Sequence, residues 1–130
     1  MPRTARPNGS SSPSPTDEQA ATYDRLVPML EAAHREMTEL SKKKQDGVVN
    51  ALKIKMLNRL LGELSKVIEK DPSYAFVDML DEETLPQNSD AVLILSQWQA
   101  ALKQYKNRHY GFDGSGQRWF TVENPEPKRR

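Results

Sequence analysis

The 130-residue chain contains no cysteine, which excludes disulfides, thiolate nucleophiles and cysteine metal sites. Its only histidines are His34 and His109, so few side chains are available to act as a base near neutral pH. No apolar run approaches the roughly 20 residues that a membrane-spanning helix needs. The formal net charge of +1 neither favours nor disfavours nucleic acid. These absences predict a small cytoplasmic protein without cofactor, membrane contact or catalytic activity.

Proline and serine are frequent near the start of the chain, and proline recurs near its end. Residues 1–15 contain no large apolar residue after Met1, so they cannot bury enough surface to offset the entropy lost on ordering. They also lack the apolar core of a secretory signal. Residues 123–130 contain two prolines and a basic end. We therefore expect disordered tails at 1–15 and 123–130 around one domain at 16–122.

Two long helices are predicted from apolar residues that recur with the helical period. The first, at about 17–45, follows a capping box formed by Thr16 and Gln19. It contains Pro28, which predicts a bend or, as the alternative, a break into two helices. The second helix, at about 48–70, has an apolar arc of roughly 180°. So broad an arc is wide enough for two neighbours, and we expect this helix to lie at the centre of the fold.

Three further elements follow in the second half of the chain. A short helix is expected at 74–80 and a third long helix at about 90–110. Residues 110–112 and 119–120 can pair as a small hairpin, but we favour the alternative in which Trp119 and Phe120 fold back onto the bundle. The predicted fold class is therefore all-α, an antiparallel bundle of three long helices with one short corner helix, to which a small C-terminal hairpin is an optional addition.

The histidines do not stand in any motif that is typical of catalysis or metal binding. A nucleophilic serine needs a base within hydrogen-bond reach, and no such arrangement is evident in the sequence. His34 falls on the apolar side of the first helix and His109 on that of the third, so they would share a core if these helices ran parallel. We expect two partly buried, hydrogen-bonded histidines rather than a metal site. The acids at 78–83 lack the spacing of a calcium loop and are expected to be solvated.

A basic segment between the first two predicted helices is the clearest signal for a ligand. It spans eighteen residues and contains a single acid, Asp46. Such a cluster can bind phosphates, although basic residues at a helix C-terminus also complement the helix dipole. The residues predicted to contact nucleic acid or an acidic partner are Lys42, Lys43, Lys44, Lys53, Lys55 and Arg59.

Lys53 falls near the middle of the apolar arc of the second helix. Either the helix begins after Lys53, or the aliphatic stem extends past the core edge to leave the ammonium in water, or the ammonium meets an acidic partner. The acids at 78–83 of another copy are one such partner. Extension past the core edge is the default expectation.

A broad apolar arc without reactive groups predicts a protein-protein interaction module. Binding needs only exposed apolar and aromatic anchors, which the second and third helices are expected to present. The partner would be another protein or a second copy in a homodimer, and nucleic-acid binding through the basic segment is the alternative. The expected anchors are Leu93, Trp98, Tyr105 and Trp119.

Overall fold

A computed structural model describes residues 12–128, and most of their secondary structure is helical. The long helices are α1 (Asp17–Lys43), α2 (Ala51–Ile68) and α3 (Asn88–His109). A 3-10 helix, Pro72–Phe76, lies between α2 and α3. The prediction of a mostly helical fold built on three α-helices is therefore confirmed.

A two-stranded antiparallel sheet follows α3 directly. Its strands are β1 (Tyr110–Phe112) and β2 (Gln117–Trp119). Asp113 closes the turn, because its carboxylate accepts the backbone N–H of Gly116 at 3.0 Å. Gly114 adopts a φ of +102°, a conformation that side chains with a Cβ rarely adopt. Both alternatives for the end of the domain are therefore present, because the hairpin forms and Trp119 also packs against Tyr23 of α1. The two strands make the term all-α approximate.

The helix starts follow from side-chain caps. Thr16 Oγ1 accepts the N–H of Gln19 at 3.0 Å, and Gln19 Oε1 accepts the N–H of Thr16 at 2.9 Å, as the predicted capping box requires. Asn50 caps α2 by accepting the N–H of Lys53 at 2.8 Å, so α2 begins later than predicted. Pro28 lies on an exposed face of α1, and the helix continues through it without a break.

Helix α1 runs antiparallel to α3. Near one end, the Tyr23 hydroxyl donates to the Leu102 carbonyl at 2.9 Å. Near the other end, the Asn88 side-chain amide donates to the Lys44 carbonyl at 2.9 Å. The start of α1 therefore lies beside the end of α3, and the end of α1 lies beside the start of α3.

Helix α1, rather than α2, is the central helix, because it packs against both α2 and α3. The Gln19 side chain donates to the Lys66 carbonyl at 2.9 Å, and Lys53 Nζ lies 3.5 Å from Glu36 Oε2. These contacts make α2 antiparallel to α1 as well, so α2 and α3 run parallel to each other. The expectation of a central α2 was wrong. The apolar arc of α2 is wide enough for two helices, but only α1 packs along it, and the rest of the arc stays at the surface.

An extended segment after the 3-10 helix connects α2 with α3. The Asn58 side chain donates to the Leu80 carbonyl at 2.8 Å and accepts the Leu80 N–H at 2.9 Å. The Trp98 indole N–H donates to the Asp78 carbonyl at 2.8 Å. The helix predicted at 74–80 is therefore wrong beyond Phe76, because side chains of α2 and α3 satisfy the backbone groups that helical bonds would otherwise use.

Residues 12–15 pack against the bundle, although composition assigned them to the N-terminal tail. Pro15 is fully buried, and its carbonyl accepts the Val122 N–H at 2.8 Å. The rest of that predicted tail, residues 1–11, lies outside the described residues. The boundary predicted at residue 16 was therefore too late, because contacts distant in sequence order this segment.

The C-terminal boundary predicted at residue 122 was similarly too early. Glu123 Oε1 accepts the N–H of Asp17 at 2.9 Å. The Arg118 guanidinium donates to the carbonyls of Asn124 and Pro125 at 2.8 and 3.0 Å. These bonds attach the beginning of the predicted tail to α1 and to the hairpin, while residues 129–130 lie outside the described part of the chain.

A continuous apolar core lies between the three helices and includes residues from all of them. Its fully buried aliphatic and aromatic side chains occupy facing positions, and the extended segment contributes Leu80 at the edge. Such interiors are packed without space for rearrangement, so the loss of one side chain leaves a cavity. The largest fully buried members are Leu30, Ile54, Leu61, Leu64, Ile68, Leu95, Trp98 and Leu102.

Substitution of Leu61 by alanine is expected to lower the free energy of unfolding by about 2–5 kcal/mol, because a fully buried side chain leaves a cavity. The matched control is Leu93→Ala on α3, where the side chain is 59% exposed and the expected change is within about 0.5 kcal/mol. Urea denaturation measures both values. Equal losses in the two variants would contradict the assignment of the core.

Candidate functional site

An apolar groove runs along the surface where α1 meets α2. Met29 on α1 is 56% exposed, and Leu52 and Met56 on α2 are 68% and 52% exposed. Two adjoining cavities of about 560 and 330 Å³ form the groove and share Ala33 and Met56 in their lining. We call this feature, including the charged side chains on its rim, the α1–α2 groove.

The spacing of residues on α2 explains why the groove forms. Ile54, Leu57 and Leu61 point into the core. Leu52 and Met56 are also apolar, and their four-residue spacing places them on one line along the helix, beside the buried row. Because α1 covers only the buried row, the second row stays at the surface.

Charged side chains of both signs frame the groove. Glu36 and Lys53 lie near one end, with their charged atoms 3.5 Å apart. Arg59 and Glu63 line the part nearer the end of α2. Lys53 lies within α2 and is half-buried along its stem, while its ammonium contacts Glu36 of the same chain. This is the arrangement expected for a lysine that extends past the core edge.

The anchors expected from the sequence occupy different environments. Leu93 is exposed on α3, outside the α1–α2 groove. Trp98 and Tyr105 are buried in the core and do not present their rings to a partner. Trp119 is half-buried, and its indole N–H donates to Asp24 Oδ2 at 3.1 Å. Helical periodicity placed Trp98 and Tyr105 on the apolar face of α3, but periodicity does not distinguish a core residue from a surface anchor.

Three of the most exposed groove residues were not among the predicted site residues. Leu52 and Met56 belong to the broad apolar arc of the second helix, whereas Met29 lies off the apolar stripe of the first helix. An apolar residue off the main stripe of α1, beside an unusually broad arc on α2, was the signal that could have located the groove.

The Trp119 ring is part of an aromatic cluster around the Lys106 ammonium. Lys106 Nζ lies 4.4 Å from the centroid of the Tyr110 ring, 5.6 Å from that of Trp119 and 5.8 Å from that of Tyr23. The Tyr23 and Trp119 rings meet edge to face with centroids 4.8 Å apart. These contacts attach the hairpin to α1 and α3 and account for the position of Trp119 by packing within the chain.

The basic segment lies where α1 ends and α2 begins. Lys43 is the last residue of α1 and Lys44 is its C-cap, and both are exposed, whereas Lys42 pairs with Glu39 at 3.2 Å. Lys55 and Arg59 line a shallow depression on α2 that also contains Glu82. Carboxylates are therefore interleaved with the cations, which weakens attraction to phosphates. Nucleic-acid binding stays a prediction.

A separate polar cluster joins residue 12 to the end of α3. The Ser12 hydroxyl donates to Asp71 Oδ1 at 2.5 Å and lies 2.8 Å from His109 Nε2. Arg108 Nη1 donates to Asp71 at 3.0 Å, and the Ser73 N–H donates to the same carboxylate at 3.0 Å. We call these five residues the Asp71 cluster.

The Asp71 cluster contains a serine, a histidine and an aspartate, but their order differs from that of a hydrolytic triad. In a triad the histidine takes the serine proton and the carboxylate orients the histidine. Here the Ser12 hydroxyl donates to Asp71, which leaves His109 Nε2 to donate to the Ser12 oxygen. The geometry fastens residue 12 to the bundle and does not activate the hydroxyl.

Electrostatics support the same interpretation of Asp71. Burial alone would raise the pKa of its carboxyl, but hydrogen bonds from Ser12 and Ser73 and the charge of Arg108 hold that pKa below its usual value. A carboxylate with a lowered pKa is a poor base. Its role is to accept hydrogen bonds from Ser12, Ser73 and Arg108 where these segments meet.

The two histidines do not meet. His34 Nε2 lies 2.8 Å from Ser96 Oγ, whereas His109 belongs to the Asp71 cluster. Residues 96 and 109 are about 20 Å apart along α3, given a rise of 1.5 Å per residue. The sequence analysis placed His34 and His109 in one core only for parallel helices, whereas α1 and α3 are antiparallel. Within residues 12–128, no three His, Cys, Asp or Glu side chains are grouped to hold a metal ion.

Comparison with protein-family models, curated proteins and solved structures finds no match to this chain. In the part of the chain that the structure describes, no helix is long and apolar enough to cross a membrane.

Replacing Asp71 by asparagine is expected to lower the free energy of unfolding at pH 7 by about 1–3 kcal/mol, because Arg108 and Ser12 lose a charged acceptor. The pKa of Asp71 is about 3.9 in the unfolded chain and lower in the folded chain. The wild-type protein therefore loses this stabilisation as the pH falls below about 3.9 and then past the folded-state pKa, where the carboxylate becomes protonated. The difference between the two proteins should therefore shrink in acid. Urea titrations at several pH values measure it, and a constant difference would contradict the cluster's role.

Burial lowers the pKa of His109, although the charge of Asp71 opposes this shift. The unfolded chain therefore binds the proton more readily, and the free energy of unfolding should fall as the pH drops below about 6.5. We expect His109→Gln to flatten the stability profile between about pH 7 and 5. The His34→Gln variant is the matched control. A profile unchanged by His109→Gln would show that His109 is equally protonated in both states.

Proposed function

We propose that this protein is a non-catalytic helical interaction module that binds an apolar helical face in the α1–α2 groove. The observation that carries the proposal is the shared exposure of Met29, Leu52 and Met56 along one groove. Apolar residues that line up at a surface and lie within a polar rim are typical of protein contact sites.

The shape of the groove suits a helix. Two helices side by side leave a furrow that accepts the side chains of a third helix, at interaxial distances of about 8–10 Å. Ala32 and Ala33 have short side chains, so a partner helix can approach the backbone of α1 closely. Met29 and Met56 have flexible, polarizable side chains that adapt to the partner surface. An amphipathic helix with anchors at three- and four-residue spacing therefore fits this site.

The charges around the groove favour a defined orientation of the partner. Glu36 and Glu63 alternate with Lys53 and Arg59 around an apolar centre. A polar rim of this kind contributes little affinity at each contact, but it disfavours partners whose like charges fall opposite its own. The charges of the rim thus favour those amphipathic helices whose flanking charges are opposite in sign to the rim residues they face.

The proposed role needs no cofactor and no reactive side chain. A cysteine-free chain suits a reducing compartment, and we propose that the protein acts in the cytoplasm. In this account the Asp71 cluster and the aromatic cluster are scaffolding, since they hold the chain segments that flank the three helices.

A photo-crosslinking amino acid at position 56 is expected to give a defined adduct in cells, because Met56 lies in the middle of the groove. The matched control carries the same amino acid at position 93, which is similarly exposed but lies outside the groove. Mass spectrometry should place the attachment point in an amphipathic helix. Adding Leu52→Glu should remove the adduct, since it puts a charge on the contact surface.

Adducts that are the same from both positions, or that persist in the Leu52→Glu background, would contradict the proposal. Far-ultraviolet circular dichroism of the purified variants controls for folding. We expect the helix content to be preserved, because Leu52 is mostly exposed within one chain.

A further inference from the structure

We propose that the occupant of the α1–α2 groove is a second copy of this chain, packed face to face across a two-fold axis. The assignment rests on the proposed function, because it names the partner of the same groove. In a two-fold contact the same surface appears on both sides, so it must be complementary to itself after a rotation of 180°.

The charge balance of the groove meets the first requirement for self-association. Its rim carries the acids Glu36 and Glu63 and the bases Lys53 and Arg59, so the surface is neutral overall. A surface with net charge would repel its own copy, whereas a neutral one with separated charges can attract it. The remaining question is whether the charges meet their opposites.

The order of residues along α2 can bring one base of the rim to one acid of a second copy. Lys53 lies near one end of the groove and Glu63 near the other, with Met56 and Leu60 between them. An axis that crosses α2 at the level of Asn58 exchanges positions 53 and 63, and positions 56 and 60. In the resulting antiparallel pair, Lys53 faces Glu63 of the second copy and Met56 faces Leu60 of the second copy.

The residues of α1 fit the same axis. The ion pair between Lys53 and Glu36, with 3.5 Å between their charged atoms, sets the level of α1 against α2. Since the helices are antiparallel, the axis crosses α1 at the level of Glu31. Met29 then faces Ala33 of the second copy, which places a long side chain opposite a short one, as close helix packing requires. The residues of α1 are therefore compatible with the register that α2 defines.

Two introduced cysteines test this register, because the natural chain contains none. In the double variant Lys53→Cys, Glu63→Cys, each thiol faces its counterpart on the second copy. Within one chain these positions are about 15 Å apart along the helix, too far for a disulfide. We expect mild oxidation of the full-length protein to give a covalent dimer.

The matched control is Lys55→Cys, Glu63→Cys, since residue 55 points about 160° away from residue 53 around the helix. We expect the 53–63 pair to yield at least about tenfold more covalent dimer, because disulfide formation requires aligned thiols. Equal yields in the two variants would overturn the proposed register and with it the proposal.

Light scattering over a concentration series supplies an independent readout. The wild-type protein should pass from monomer to dimer as its concentration rises. Met56→Glu should raise the dimer dissociation constant at least about 30-fold, because it buries a charge in the apolar centre of the contact. Leu93→Glu should leave the constant unchanged, because Leu93 lies outside the groove. Circular dichroism verifies that both variants retain their helices.

A wild-type chain that is monomeric at every concentration would overturn the second-copy assignment, as would a dimer that Met56→Glu does not weaken. The proposed function fails separately. If the chain is monomeric but position 56 still crosslinks to a helix of a different protein, the groove is a docking site for that protein. If position 56 gives no specific adduct either, both proposals are wrong.

Discussion

The position of α1 between α2 and α3 is the constraint on which the rest of the structure depends. One side of α1 meets α3, where Tyr23 bonds the Leu102 carbonyl, and another meets α2. A single helix of this kind covers a stripe on each neighbour, but the apolar arc of α2 is broader than one stripe. The groove beside Met56 is the part of that arc that α1 does not reach.

The ends of the bundle are held by polar and aromatic contacts rather than by the core. Asp71 is buried and must be compensated, and the groups that compensate it come from three separate parts of the chain: Ser12, Ser73 and Arg108. A buried carboxylate paired in this way is costly to disrupt and restricts how the segments can pack. The Asp71 cluster therefore holds the chain segments together at the end of the bundle where α1 begins. The α1–α2 groove, in contrast, is accessible at the surface.

Local signals in the sequence predicted the helices well. The capping box of Thr16 and Gln19, the stop before Pro72 and the spacing of apolar residues all act within a few residues, so they can be recognised without knowledge of the fold. The turn at Gly114 is a local signal of the same kind, but it left the hairpin as one of two alternatives. These elements account for most of the secondary structure.

Features that depend on distant contacts could not be predicted in this way. Pro15 lies in a segment whose composition is typical of disorder, yet Val122, far away in sequence, orders it. Trp98 and Met56 both fall on apolar helix faces, but only tertiary packing decides that Trp98 is buried and Met56 exposed. The direction of α2 relative to α3 depends on the path of the connection between them, for which Asn58 provides the decisive bonds.

The most direct test of the account is a dilution series followed by the methyl resonances of methionine. Four methionines lie in the described residues: Met29 and Met56 in the groove, Met37 in the core, and Met79 on an exposed segment elsewhere. If the groove binds a second copy, Met29 and Met56 shift with concentration while Met37 and Met79 stay constant. Concentration-independent resonances at Met29 and Met56, or shifts confined to Met79, would contradict the claim that this groove is the contact surface.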